Sequence, residues 1–277
     1  MTRFDVNGSI LFTGLPLLER PAAVKAAGFD GVEFWWPFAE AVPADTEVDA
    51  FVRAIRDAGV HLAGLNFADD IAAGGRGLLS RPADSARFRD NVDVAVGIAG
   101  ELGCTALNAL YGNRVYGLDP AEQDELAAEN LAIAARAAAR IGAVVLVEAL
   151  NVHESPSYPL VSAKAAAEVA DRTGEPNVKI LCDLYHLARM GEDLDAVIGE
   201  YATRIGHVQI ADVPGRGRPG TGTLDFGHLF SVLDRHGYDG WIGLEYKDAL
   251  LDFGWIGRLP DPGVRPGGPD GDRTRES

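Results

Sequence analysis

The chain has 277 residues, 47% hydrophobic and 24% charged, a globular composition long enough to bury one large core or two small ones. Its 25 Lys and Arg against 41 Asp and Glu leave a formal charge of -16, which repels phosphate backbones and anionic lipid, so neither nucleic acid nor a membrane surface is the expected partner. Residues 1–10 lack the basic start and apolar run of a signal peptide, and no run approaches the ~18 apolar residues of a membrane span, so a cytoplasmic protein is expected.

Phe4–Asn7 alternates as a short strand does, and apolar residues at helical spacing from Leu15 to Ala27, stopped by Gly28, complete a first strand–helix pair. Gly31–Phe34 is a second strand, running onto Trp35 and Trp36, and Val48–Ala58 is the helix that Gly59 stops. Val60–Asn66 reads as strand three; after a glycine-rich loop at 72–78, an amphipathic helix covers Asp84–Leu102 and is closed by Gly103. Cys104–Leu110 is strand four. Pro120 opens an alanine-rich helix to Ile141, and Ala143–Ala149 is a nearly continuous apolar strand of the kind buried on both faces. A helix at Leu160–Thr173, a strand at Val178–Cys182, a helix at Leu194–Tyr201, a strand at Ile205–Ile210, a helix at Phe226–His236 and a strand at Trp241–Leu244 follow.

Eight strands alternating with helices over about 245 residues have the size and rhythm of an α/β (β/α)8 TIM barrel, for which ~250 residues is typical. A doubly wound open sheet usually announces a phosphate loop after its first strand, and neither GxGxxG nor GxxxxGK[ST] follows Val6. The barrel is taken as one domain over residues 1–257; residues 258–277, rich in Pro, Gly and charge, are expected to be a disordered tail. Cys104 and Cys182 lie in apolar strand-like runs and are expected as buried core thiols.

Active sites of such barrels gather at the C-terminal strand ends. There strand five offers Glu148, strand six Asp183, strand seven Gln209 and strand eight Glu245. Any one of them could be a loop cap or a surface charge. Three carboxylates over one small mouth, however, raise each other's pKa unless a cation sits among them. Ligation by carboxylates and an amide suits one hard divalent metal ion, Mg2+ or Mn2+, whereas zinc usually wants histidine or cysteine. His186, three residues after Asp183, and His153, after strand five, are candidate substrate contacts; His61 and His207 lie within strands, and His228 and His236 on the last helix are expected to be structural. The loop PGRGRPGTG after strand seven carries Arg216 and Arg218, whose guanidinium groups could grip a carboxylate, with Lys247 as an alternative cation. Trp35, Trp36 and Phe38 either wall the pocket or cap the barrel.

The stretches VLVEALN (145–151), KILCDLYHLARM (179–190), RIGHVQIADVPGRGRPGTGTL (204–224) and GYDGWIGLEYK (237–247), with Asn7–Phe12 at the front, resemble the hydroxypyruvate isomerase family of the xylose isomerase-like barrel superfamily. The similarity runs from about residue 3 to residue 248. It implies that Glu148, Asp183, Gln209 and Glu245 hold one divalent ion, and that Glu148 and Glu245 also serve as acid and base. Asn7 joins His186, Arg216, Lys247 and His153 as an expected substrate contact. The implied chemistry moves a proton between adjacent carbons of a small hydroxy-keto acid through an enediolate, interconverting hydroxypyruvate and tartronate semialdehyde. Two stretches on the substrate side depart from the family pattern: Glu148-Ala149-Leu150-Asn151 stands where Glu-Pro-Ile-Asn is usual, and Asn66-Phe67-Ala68-Asp69-Asp70 replaces Asn-Leu-Pro-Ala-Gly-Asp. A 2-oxo-tetronate or a keto sugar is therefore an alternative substrate, although a keto-sugar 3-epimerase would more often present histidine where Gln209 stands. A barrel that binds a metabolite without catalysis is the reading from another class; a stoichiometric ion whose removal abolishes turnover would exclude it. Barrels of this kind often form homo-oligomers, and no sequence feature identifies a face.

Overall fold

A computed structural model describes residues 2–258. Its strands are β1 (Arg3–Asn7), β2 (Gly31–Phe34), β3 (His61–Asn66), β4 (Ala106–Asn108), β5 (Val144–Glu148), β6 (Val178–Asp183), β7 (Ile205–Ile210) and β8 (Trp241–Leu244). Each pairs in parallel with the next, and β8 pairs with β1 to close the barrel. The helices are α1 (Arg20–Ala26), α2 (Asp45–Ala58), α3 (Ser85–Leu102), α4 (Pro120–Ala139), α5 (Ala163–Thr173), α6 (Leu184–Arg189), α7 (Leu194–Tyr201) and α8 (Phe226–Arg235). Apart from Arg258, the expected tail lies outside the described residues. No helix among the described residues is long and apolar enough to cross a membrane.

The strand-facing sides of the helices and the helix-facing sides of the strands form one large apolar cluster that includes Val32, Phe51, Leu107, Leu131, Val145 and Val208. Each such side chain contributes roughly 1.5–3 kcal/mol on burial. Helices α2 and α3 end on Gly59 and Gly103, with φ of 65° and 68°, a left-handed turn in which a Cβ is strained. Cys104 and Cys182 are buried and unpaired, and burial pushes both thiols up, away from reactivity.

The structure differs from the sequence reading in three places. Leu15–Ala27 is not one helix: a 3-10 turn at Leu17–Glu19 leads into α1, which carries a proline in its first turn, where a missing N–H costs nothing. Strand β4 is shorter than Cys104–Leu110 because Tyr111 turns aside into an antiparallel bridge with Gly77 of the glycine-rich loop. Helix α6 was not expected. Asp183 caps it, accepting from the backbone N–H of Tyr185 at 2.7 Å and of His186 at 3.1 Å.

Inside the barrel the two halves differ. Ala106, Leu146 and Leu181 make a small apolar plug on the β4–β6 side. Strands β1, β2 and β7 instead bring together Asp5, Glu33 and His207, all buried. Charged groups in that position need a reason, because apolar residues of similar size would pack there at no desolvation cost.

Candidate active site

Each of the eight strands carries a buried polar side chain within one residue of its C-terminal end: Asn7, Glu33, Asn66, Asn108, Glu148, Asp183, Gln209 and, one residue past β8, Glu245. Parallel register sets Asp183 beside Gln209, and Gln209 beside Gly243, two residues before Glu245. A cavity of about 90 Å³ opens above them, lined in part by Trp35, Arg76, Glu148, His186, Arg216 and Glu245.

Asp183 has two tasks. One oxygen caps α6, which fixes the helix turn that carries His186. The other lies 3.6 Å from His186 Nε2, which is itself 4.0 Å from Glu148 Oε1. The backbone N–H of Asn151 donates to His186 Nδ1 at 3.1 Å, so the ring proton sits on Nε2 and points at the carboxylates. Burial, and then the charges of Arg216 and Arg76, hold the His186 pKa well below its ordinary value, so the ring is neutral. A neutral imidazole with Nε2–H can donate a hydrogen bond but cannot bind an ion through that nitrogen, although a ring nitrogen lies within 4.8 Å of carboxylate oxygens of Glu148 and Asp183.

Glu245 is held on both oxygens. Oε1 accepts from Trp35 Nε1 at 2.7 Å and from Asn7 Nδ2 at 3.1 Å, and Oε2 is paired with Arg216. Among the described residues the Glu148 carboxylate accepts only from Asn108 Nδ2, at 2.9 Å. Burial raises the pKa of all three acids, most plainly that of Glu148, which faces Glu245 and Asp183; Asp183 is raised to about 7 by burial and Glu245. Glu245 is raised by burial against the lowering effect of Arg216. Three buried acids whose pKa values are all pushed upward mark a site short of positive charge.

Gln209 supplies the most direct test of an ion at this place. Its Nε2 donates to Glu33 Oε1 at 2.8 Å, while its Oε1 is buried with no hydrogen-bond partner. A buried carbonyl oxygen left free on the strand next to Asp183, at a mouth that also holds Glu148 and Glu245, fits a hard divalent cation. The residues present therefore suit the metal ion that the family implies.

The remaining expected contacts are placed unequally. Arg216 lines the cavity, bonded to Glu245 and, at 3.4 Å, to Glu154. Arg218 turns away, 3.5 Å from Asp248 and 3.4 Å from Asp252. His153 and Lys247 are exposed and outside the cavity lining; the Lys247 backbone N–H instead donates to Arg216 O at 2.7 Å. Asn7 sits below the cavity, between Glu33 and Glu245. Trp35 walls the site, whereas Trp36 packs edge-to-face on Phe38, and Phe38 on the buried Phe51 of α2. His207 pairs with Glu33 at 2.8 Å; burial alone would lower its pKa, but Glu33 and Asp5 raise it.

Sequence reasoning overlooked Glu33, Asn66, Asn108, Arg76 and Glu154. The first three share one signal with the residues it found, a polar group closing an apolar strand. Arg76 lies in the glycine-rich loop after β3, where its Nε donates to Ser155 Oγ at 2.8 Å and its Nη groups reach the carbonyls of Gly75 and Glu154.

A profile of the family described as xylose isomerase-like TIM barrel matches residues 21–264. A Streptomyces coelicolor protein with hydroxypyruvate isomerase in its name is 61% identical over 265 residues, 92% of this chain and 95% of that one. Escherichia coli hydroxypyruvate isomerase is 34% identical, over 89% of this chain and 94% of its own length, and the 2-oxo-tetronate isomerase of Cupriavidus necator is 37% identical, over 92% and 98%. A solved structure described as an AP endonuclease of family 2 from Brucella melitensis superposes with a TM-score of 0.85 at 37% identity, covering 94% of this chain and all of that one. The chain belongs to the hydroxypyruvate isomerase family of xylose isomerase-like TIM barrels.

Proposed function

We propose that this protein is a metal-dependent isomerase that interconverts hydroxypyruvate and tartronate semialdehyde through an enediolate. The observation that carries this reading is the buried strand-end set Glu148, Asp183, Gln209 and Glu245, three acids of raised pKa and a carboxamide whose carbonyl oxygen is left free. These four would hold the ion, Mg2+ or Mn2+, which when bound supplies Lewis acidity toward a carbonyl and a neighbouring hydroxyl oxygen. The names of the Streptomyces and Escherichia coli relatives point to the same substrate.

The chain's own groups account for the proton movements. One of Glu148 and Glu245 removes the proton from the hydroxymethyl carbon, and the other returns one to the former keto carbon. The keto oxygen gains a proton as the hydroxymethyl oxygen loses its own, so product and substrate are isomers. Arg216, paired with Glu245, opposes the upward push of burial on that carboxylate. The Nε2–H of His186 donates to a substrate oxygen as charge shifts onto it.

The substrate carboxylate falls to Arg76. All of its acceptors are neutral, a hydroxyl and two carbonyls, and no carboxylate lies within ion-pair distance of it among the described residues. An uncompensated guanidinium on a cavity of about 90 Å³, small beside the ~300 Å³ of an ordinary ligand pocket, suits a short keto acid. The similarity to the Cupriavidus necator protein keeps a four-carbon 2-oxo-tetronate as the second reading.

The test is chelation. Protein stripped of metal should convert neither acid, and Mn2+ should restore turnover at one ion per chain. Turnover that survives chelation, or loaded protein inert toward both acids, would sink the proposal.

A further inference from the structure

We propose that Glu33 is a positioning residue for the ion site, setting which end of the Gln209 carboxamide faces the ion. The inference rests on the reading of Gln209 as an ion ligand. A carboxamide can present oxygen or nitrogen with nearly equal steric ease, and only the oxygen binds a hard cation. An ionised carboxylate accepts and never donates. Glu33 Oε1 therefore takes the NH2 end of Gln209, at 2.8 Å, and leaves the carbonyl oxygen buried and free. The same Glu33 oxygen accepts from Asn7 Nδ2 at 3.0 Å, and Asn7 Nδ2 also reaches Glu245 Oε1 at 3.1 Å. One oxygen atom thus orders two of the four expected ligands.

The barrel interior is built around this carboxylate. Its other oxygen pairs with His207 Nε2 at 2.8 Å, and Asp5 lies 4.0 Å beyond that nitrogen. Glycine stands at the two neighbouring inward positions. A Cβ on Gly243 would lie 2.7 Å from Glu33 Oε1 and 3.0 Å from Gln209 Cγ, and one on Gly64 would lie 3.2 Å from Glu33 Oε2. An alanine at 243 would crowd the carboxylate off Gln209 without changing any charge. A merely structural ion pair would need no such arrangement, and an apolar residue at position 33 would avoid its desolvation cost.

The experiment measures Mn2+ affinity of the full-length protein by calorimetry and by the electron-spin signal of free Mn2+. Glu33→Gln keeps the volume but can turn its own NH2 toward Gln209, so the carboxamide flips; affinity should fall about 10- to 100-fold, the range seen when an outer partner of a ligand is lost. Gly243→Ala should weaken binding in the same direction. Ile55→Val, in the core face of α2, should lower the melting temperature and leave Mn2+ affinity within about twofold. Unchanged affinity in folded Glu33→Gln would overturn the proposal; should that variant fail to fold, unchanged affinity in Gly243→Ala would do so. A wild type that binds no Mn2+ would remove Gln209 as a ligand, and this inference with it.

Discussion

Two guanidinium groups reach the mouth of the barrel, and their partners separate their roles. Arg216 is committed to Glu245 and Glu154, so its loss acts on a carboxylate proposed to move protons. Arg76 is committed to no carboxylate among the described residues, so in the proposed reading its loss acts on the substrate's. A charged hydrogen bond is worth about 1.5–3 kcal/mol, or roughly 10- to 150-fold. Arg76→Gln should therefore raise KM for hydroxypyruvate by that factor with kcat less affected, while Arg216→Gln should mainly depress kcat. Steady-state kinetics on the pair checks this; a rise in KM confined to Arg216→Gln would exchange the two assignments.

The loop after β7 shows what an element adds to a residue. Read from its glycines, it suggests a flexible arm, but Asp212 staples it, accepting from the N–H groups of Val213, Gly220, Gly222 and Leu224 at 2.8–3.1 Å. Gly222 is needed for the close approach, since a Cβ there would lie 1.9 Å from Val213 O. The staple holds Arg216 at φ 56°, a left-handed conformation that costs roughly 1 kcal/mol or more and turns its side chain to Glu245. Strands β2, β7 and β8 and most helix stops were legible because a short, nearly continuous apolar run and a closing glycine are local signals. Helix α6 was not, since the residue that caps it, Asp183, was read only as a ligand. Glu33 and His207 are 174 residues apart and Asn7 and Glu245 are 238 apart, so their pairing appears only once the barrel closes. The four proposed ligand positions were legible by chemistry, as three acids and an amide at the ends of apolar strands, while Asn7 and Asn108, which bond to Glu245 and Glu148, carry no charge to draw notice.

At the scale of the molecule, the acids of the mouth tie stability to pH. Without an ion, Glu148, Asp183 and Glu245 have folded pKa values above their unfolded ones, chiefly through burial. Their contribution is present in full below the ordinary carboxylate range, about pH 4, and is lost as pH rises through the folded values, to about 7 for Asp183. Asp5 and His207, both raised, act in the same direction, and His186, lowered, opposes them. An ion binds the deprotonated acids, so its stabilisation grows with pH. The gap in melting temperature between Mn2+-loaded and chelated protein should widen from about pH 5 to about pH 8; a constant gap would place the ion elsewhere. The central claim, that Glu148 and Glu245 pass a proton across an enediolate, is tested most directly by proton NMR of hydroxypyruvate with the Mg2+-loaded protein in deuterium oxide. The account predicts aldehyde or its hydrate, carbon-bound protons of the substrate exchanging for deuterium, and no product from Glu148→Gln or Glu245→Gln. Product formed without solvent deuterium, or exchange undiminished in both variants, would contradict it.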